Sequence, residues 1–371
     1  MNDRQDKWLD GIELPACLST RANWSQFLSL RRPPEPHVHQ IEPTNVCPHR
    51  CIMCPRSKMT RESGFMEFTL YTKVIDEVAT YSQAVRDKEI ELFHFGESLL
   101  HPELPRMIAY ASQRGLRITL SVNPAFLKED LAESILASKP YRLIASLDGY
   151  DVESYRAMRG PTADFERAVH NVETLIDLCR RCRSQTRASV RMIVMHANKH
   201  QADHFVRDWQ TRGVDAELRE FFPWGEPEMA SMGHYKRFPS GMPCPFPWQY
   251  LVVQWNGDVV GCCRDYNGVN RLGNVGHASL RQIWNSSRYE AFREQMATGH
   301  YDNPICGPCL SLYYTSGSDE QNLAPPCRPP SDVPIDKPSL IKSQTHVHQQ
   351  SQERQPQDHD EVGQPEWKDL A

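Results

Sequence analysis

The chain has 371 residues, enough for one large domain and a smaller one. Its formal net charge of −5 is mild and argues against a nucleic-acid or bilayer surface, and no apolar run approaches the roughly 18–20 residues of a membrane helix. Twelve cysteines, in a chain whose polar N-terminus shows no signal-peptide pattern, read as metal ligands of a cytoplasmic protein rather than disulfides of a small secreted one.

Residues 1–37 read as an N-terminal extension. Its apolar content (Trp8, Leu9, Ile12, Leu14, Trp24, Phe27, Leu28, Leu30) suits one or two short helices before the break at Pro33, Pro34 and Pro36. Strand patterns follow at 38–43, 89–95, 117–123, 142–147, 188–195 and 216–221. Helical patterns lie between them at 70–82, 104–114, 128–137, 165–183 and 202–211. This alternation predicts an α/β fold over 38–223, with a parallel sheet that right-handed crossovers curl into a partial barrel. Over 224–319 the pattern changes, and its first part, 224–247, is rich in Gly, Pro and Met and looks irregular. Asn256-Gly257 between the apolar runs 249–254 and 258–261 predicts a hairpin, and short helices are expected at 279–284 and 289–296. Residues 320–371, rich in Pro, Gln, Ser and His, are expected to be a disordered tail. Its His346, His348 and His359 are read as solvated.

Cys47, Cys51 and Cys54 are spaced C-x3-C-x2-C in the run from Glu42 to Arg56. Three thiols within eight residues converge on one inorganic centre, and thiolates select zinc or iron–sulfur clusters. A structural zinc site takes four protein ligands, which His49 or His39 would have to complete. A four-iron cluster on three cysteines leaves one iron open to a small molecule. The spacing resembles the radical S-adenosylmethionine (SAM) superfamily, in which that open iron holds the amino and carboxylate groups of SAM. The resemblance implies a partial (β/α)6 TIM-type barrel with the cluster loop after the first strand, and it places Met53 against the adenine.

Cys244, Gly257 and Cys262 stand in a C-x12-G-x4-C arrangement around the predicted hairpin, and Cys306-Gly-Pro-Cys309 adds a C-x2-C pair. This set resembles the auxiliary-cluster domain that follows the barrel in many radical SAM enzymes. The domain is called SPASM when it holds two clusters and twitch when it holds one. The longer pattern would need a cysteine where Thr315 stands, and only Cys327 remains downstream, so the expectation is a twitch domain with one further [4Fe–4S] cluster. A structural zinc site is the alternative. Cys262 and Cys263 point to opposite faces of a strand, and the spacing favours Cys262 as the ligand. Cys179 and Cys182 lie at i and i+3 on a helix with no second pair nearby and are read as non-ligating.

Beside these cysteines, the stretch from His94 to Ser98 resembles the family's Gly-Gly-Glu-Pro motif, with Phe95 in place of the first Gly and Ser98 in place of Pro. It implies SAM contacts from Gly96, Glu97 and Ser98. Asn123, Ser146, Asp148 and Arg159 lie at or beyond expected strand ends and are further candidates, each with a plainer role as a turn or capping residue.

The resemblance covers about 38–312 and implies two [4Fe–4S] clusters, SAM and a low-potential electron donor such as flavodoxin or ferredoxin. It further implies that a 5′-deoxyadenosyl radical takes a substrate hydrogen atom. The branch of the family that oxidises aminocyclitols shares the aromatic-Gly-Glu stretch, the hairpin cysteines and the Leu272-Gly-Asn-Val275 and Ile283-Trp284 sequences. The expected function is therefore oxidation of a small polar, sugar-like or aminocyclitol-like substrate. One rival is a peptide-modifying maturase, for which 1–37 looks short as a leader-recognition domain. Another is an epimerase in which Cys263 or Cys17 returns a hydrogen atom. A third is a zinc-binding interaction protein. No nucleic-acid or membrane partner is expected.

Overall fold

The computed structural model describes residues 21–234, 243–301 and 303–313. The first part of the N-terminal extension, Cys17, Cys327 and the expected tail lie outside these residues.

Six parallel strands follow the alternation in order: β1 (His37–Ile41), β2 (Glu89–Glu91), β3 (Arg117–Val122), β4 (Arg142–Ser146), β5 (Arg187–Val194) and β6 (Asp215–Glu220). The central strands are almost wholly buried, as parallel strands covered on both faces must be. The crossover helices are amphipathic. Phe68–Ala79 buries Tyr71, Val74, Ile75 and Val78, one face at helical spacing. Phe165–Arg181 starts where the Asp164 carboxylate caps the Arg167 N–H, and it buries Val172, Leu175 and Ile176.

The helix Val152–Arg159 was not anticipated. A capping box between Asp151 and Ser154 starts it, and Gly160, at φ +106°, stops it. Only Ser154, Tyr155 and Met158 are buried on it, so its apolar stripe is too thin to read from sequence.

Beyond 223 the expected hairpin forms as β7 (Tyr250–Val253) and β8 (Asp258–Val260), and β9 (Arg271–Asn274) extends it. Gly257, at φ +83°, makes the turn. These strands do not form a separate sheet. β7 pairs in parallel with β1, giving one nine-stranded sheet in the order β6-β5-β4-β3-β2-β1-β7-β8-β9. β9 escaped the sequence reading because Arg-Leu-Gly-Asn shows no alternation. Its Gly273 leaves space for Ile283, which would lie 2.8 Å from an added Cβ. The helices Leu280–Trp284, Ser287–Thr298 and Cys306–Tyr313 complete the region.

Neighbouring strands lie about 4.8 Å apart, so β1 and β6, five steps apart, would stand about 24 Å apart in a flat sheet. His39 and Gln40 on β1 nevertheless line the same cavity as Arg219 on β6. The six parallel strands therefore curl into a partial barrel.

Candidate active site

The cavity inside this curl has a volume of about 290 Å³. Its rim is formed by the cysteine loop that follows β1. Cys47, Cys51 and Cys54 all line it. The loop is held by the Cys54 N–H on the Cys51 carbonyl (3.1 Å), by the Ile52 N–H on the Met158 carbonyl (3.0 Å), and by the Arg56 guanidinium on the Cys47 carbonyl. Burial pushes the Cys47 thiol up to about 11 and the Cys54 thiol up to about 12. Loading a cluster would therefore displace protons from Cys47 and Cys54.

The candidate SAM contacts converge on the same cavity, with one exception. Gly96 sits against the cysteine loop, and a Cβ there would lie 2.1 Å from the Thr44 carbonyl oxygen. Its lack of a side chain lets the two loops meet, and the Glu97 N–H then donates to the Val46 carbonyl (2.9 Å). The buried Glu97 carboxylate accepts the Asn123 N–H at 2.8 Å and the Leu99 N–H at 3.1 Å. Burial raises its pKa to about 7 despite those bonds. The Arg159 charge in the same cavity lowers it only in part, and an ammonium group would favour the ionised carboxylate further. Asn123 accepts from the Ala125 N–H and the Tyr155 hydroxyl, while its buried Nδ2 has no acceptor. Ser146 shares a hydrogen bond with Ser121 (3.1 Å).

Asp148, at φ +55°, accepts the Ile193 N–H at 2.7 Å and forms an ion pair with Arg159. Arg159 also donates to the Ser146 carbonyl (2.8 Å) and lies 3.8 Å from the Cys51 sulfur. Met53 packs with Met158, Met195, Phe221 and Met229 and lines the cavity. Ser98 departs from expectation. Its hydroxyl donates to the Leu92 carbonyl (3.0 Å), and the residue is buried away from the cavity lining.

Cys244, Cys262, Cys306 and Cys309 surround a second, smaller cavity of about 20 Å³, walled by Phe246, Phe292, Met296, Ile305 and Leu310. Burial pushes the Cys244 and Cys306 thiols up to about 12. Cys263 lines the large cavity instead. Cys179 and Cys182, at the end of Phe165–Arg181, line neither. Among the described residues no three His, Cys, Asp or Glu side chains close on a point suited to a single metal ion. His49 turns Nδ1 to the Arg159 carbonyl (3.3 Å), and His39 lies 3.8 Å from Glu91. The donor sets, three thiols on an open cavity and four around an apolar one, fit iron–sulfur clusters.

Sequence reasoning missed several residues. Glu42, at the end of β1, is fully buried and takes a bidentate bond from Arg61 (2.6 Å for one arm). It also accepts the Phe95 and Trp255 N–H groups, each at 3.3 Å. One carboxylate therefore ties together the segment after the cysteine loop, the 94–98 stretch and the hairpin turn. Deeper in the cavity stand His39, Gln40, Glu91, Arg191 and Arg219, and Gln40 donates to Glu91 at 2.8 Å. Polar residues spaced along β1, β2, β5 and β6 are the trace of this polar interior in the sequence.

Comparison with known proteins agrees with this geometry. The radical SAM superfamily model matches residues 41–208, and the SPASM iron–sulfur cluster-binding domain model matches 244–310. The tungsten-containing aldehyde ferredoxin oxidoreductase cofactor-modifying protein of Pyrococcus furiosus is 24% identical over 318 residues, 72% of this chain and 86% of that protein. The S-adenosyl-L-methionine-dependent 2-deoxy-scyllo-inosamine dehydrogenase of Niallia circulans is 20% identical over 282 residues, 74% of this chain and 92% of that protein. The structure of Streptococcus suis SuiB bound to precursor peptide SuiA aligns with a TM-score of 0.58 at 13% identity, over 72% of this chain and 69% of that one. At that identity it shows the fold alone.

Proposed function

The chain belongs to the radical SAM superfamily, and its residues 244–310 match the SPASM cluster-binding model with the cysteines for one auxiliary cluster; from that premise we propose that it is an oxidoreductase removing two electrons from a small polar substrate, sugar-like or aminocyclitol-like. Cys47, Cys51 and Cys54 would hold the SAM-binding [4Fe–4S] cluster, and Cys244, Cys262, Cys306 and Cys309 a second one. Bound there with SAM, the first cluster supplies a 5′-deoxyadenosyl radical able to take a hydrogen atom from an unactivated C–H bond. Glu97 would receive the SAM ammonium, Asn123 would offer Nδ2, Arg159 would reach the SAM ribose or carboxylate, and Met53 would lie against the adenine. The electron comes from a flavodoxin- or ferredoxin-like donor in a reducing cytosol.

One observation carries the oxidative reading: residues 262–264 are a shared wall. Cys262 faces the four-thiol cavity and Cys263 the large one. A substrate in the large cavity therefore borders a site able to accept its second electron. The polar interior of Gln40, Glu91, Arg191 and Arg219 suits a hydroxylated substrate, and the dehydrogenase relative acts on an aminocyclitol by its name. The balance is one electron and one SAM consumed, with methionine and 5′-deoxyadenosine formed. A second cluster would accept the substrate's second electron, with a proton lost as the carbonyl forms.

The test is anaerobic turnover in deuterated buffer with a panel of aminocyclitols and sugars. The expected result is a product two electrons more oxidised, without solvent deuterium at the reacting carbon. Solvent deuterium at unchanged oxidation level would install the epimerase reading, which the place of Cys263 in the cavity favours second. A crosslinked peptide product would indicate a maturase, and a colourless, iron-free preparation a zinc protein.

A further inference from the structure

Arg264 belongs to both cavities. It is 3% exposed and lines the four-thiol cavity on one side and the large cavity on the other. Its guanidinium donates to the Cys309 sulfur at 2.9 Å, and its backbone N–H donates to the Cys262 sulfur at 3.3 Å. The guanidinium carbon lies 3.7 Å from the centre of the Phe222 ring and 5.3 Å from that of Phe246. Its charge also acts on the Cys244 thiol, opposing the upward push of burial. A buried cation therefore faces the proposed ligand set of the second cluster from the substrate side. The arrangement has a parallel at the first site, where Arg159 reaches the Cys51 sulfur from the same large cavity.

We propose that Arg264 is a positioning residue whose positive charge holds the second cluster and raises its reduction potential. The inference rests on the two-cluster reading. Each electron added to a cluster adds negative charge. A guanidinium that donates to a ligating sulfur stabilises the reduced form more than the oxidised form, and this moves the potential upward. The surrounding apolar walls strengthen the effect by lowering the local dielectric. Raising the potential favours electron transfer out of a substrate radical, and the charge stands in the wall which that electron must cross.

The test uses the full chain reconstituted anaerobically with iron and sulfide, with no substrate needed. Wild type, Arg264→Met and Arg264→Lys are compared by iron content and by a redox titration followed by electron paramagnetic resonance. Arg264→Met preserves bulk against Phe222 and Phe246 without charge, whereas Arg264→Lys preserves charge. The expected result is a second-cluster potential that falls in Arg264→Met and stays nearer wild type in Arg264→Lys, with the first cluster unmoved. Loss of second-site iron in Arg264→Met but not in Arg264→Lys supports the proposal equally. An unchanged potential in a fully loaded Arg264→Met overturns it, and so does equal loss of iron in both variants, which would leave Arg264 a packing role. Wild type holding iron at the first site alone would overturn the two-cluster reading and this inference with it.

Discussion

At the scale of single residues, the doublet Cys262-Cys263 shows how much one step along the chain decides. The sequence places the two on opposite faces of a strand, but they stand in the turn that follows β8 (Asp258–Val260), and there their side chains line different cavities. Cys262→Ala is expected to lose the iron of the second site while keeping the first. Cys263→Ala is expected to keep both, as read by iron content and by the paramagnetic signal of each reduced cluster. The reverse result would exchange the two thiols' roles. Spacing already singled out Cys262, but what Cys263 faces was illegible, because the large cavity is assembled from six strands. Gly96 is similar: a glycine there suggested close approach of a ligand, and the structure shows the Thr44 backbone as its immediate neighbour.

At the scale of elements, Glu42 and Arg61 fasten the cysteine-loop segment to β1 and the hairpin. Burial alone would raise the Glu42 pKa, but the nearby His94 ring, 3.5 Å away, and the hydrogen-bonded Arg61 outweigh it and hold the carboxyl at about 2, against an ordinary 4.5. Removing one partner of a buried ion pair costs about 3–5 kcal/mol, because the other charge is stranded. Arg61→Met should lie near the lower end, about 3 kcal/mol, since His94 remains 3.5 Å from Glu42. The sign with pH follows from the depressed pKa. The pair's stabilisation is fully present above about 4.5 and is lost as pH falls towards about 2. Chemical denaturation of the two proteins should therefore show a gap that is constant near neutrality and narrows as pH falls below 4.5. A gap independent of pH would mean that Arg61 acts through packing alone.

At the scale of the whole molecule, the first thiol set lies on the loop after β1, and the second is gathered from the segments before β7 and after β8 and from the helix Cys306–Tyr313, with the wall at 262–264 bordering both cavities. They should load independently. Two four-iron clusters correspond to about eight irons per chain. Replacing Cys47, Cys51 and Cys54 together by Ala should bring this to about four and abolish SAM cleavage, with the second cluster still reducible. Full iron content in that variant would remove the assignment of the first site.

The sequence by itself determined whatever depends on near neighbours along the chain. Three thiols within eight residues must share a centre, six apolar runs alternating with amphipathic helices must build a parallel sheet, and Asn-Gly must turn a hairpin. Tertiary structure decided what joins distant segments. Glu42 bonds a backbone amide 213 residues away, β7 extends the sheet from β1 rather than starting another, and Arg264 stands between two cavities. The physical reason is range. Side-chain period, turn chemistry and ligand spacing act over a few residues and leave a pattern in the order of the amino acids. A shared wall or a buried carboxylate with three distant donors depends on strand order and curvature, which only the folded chain supplies.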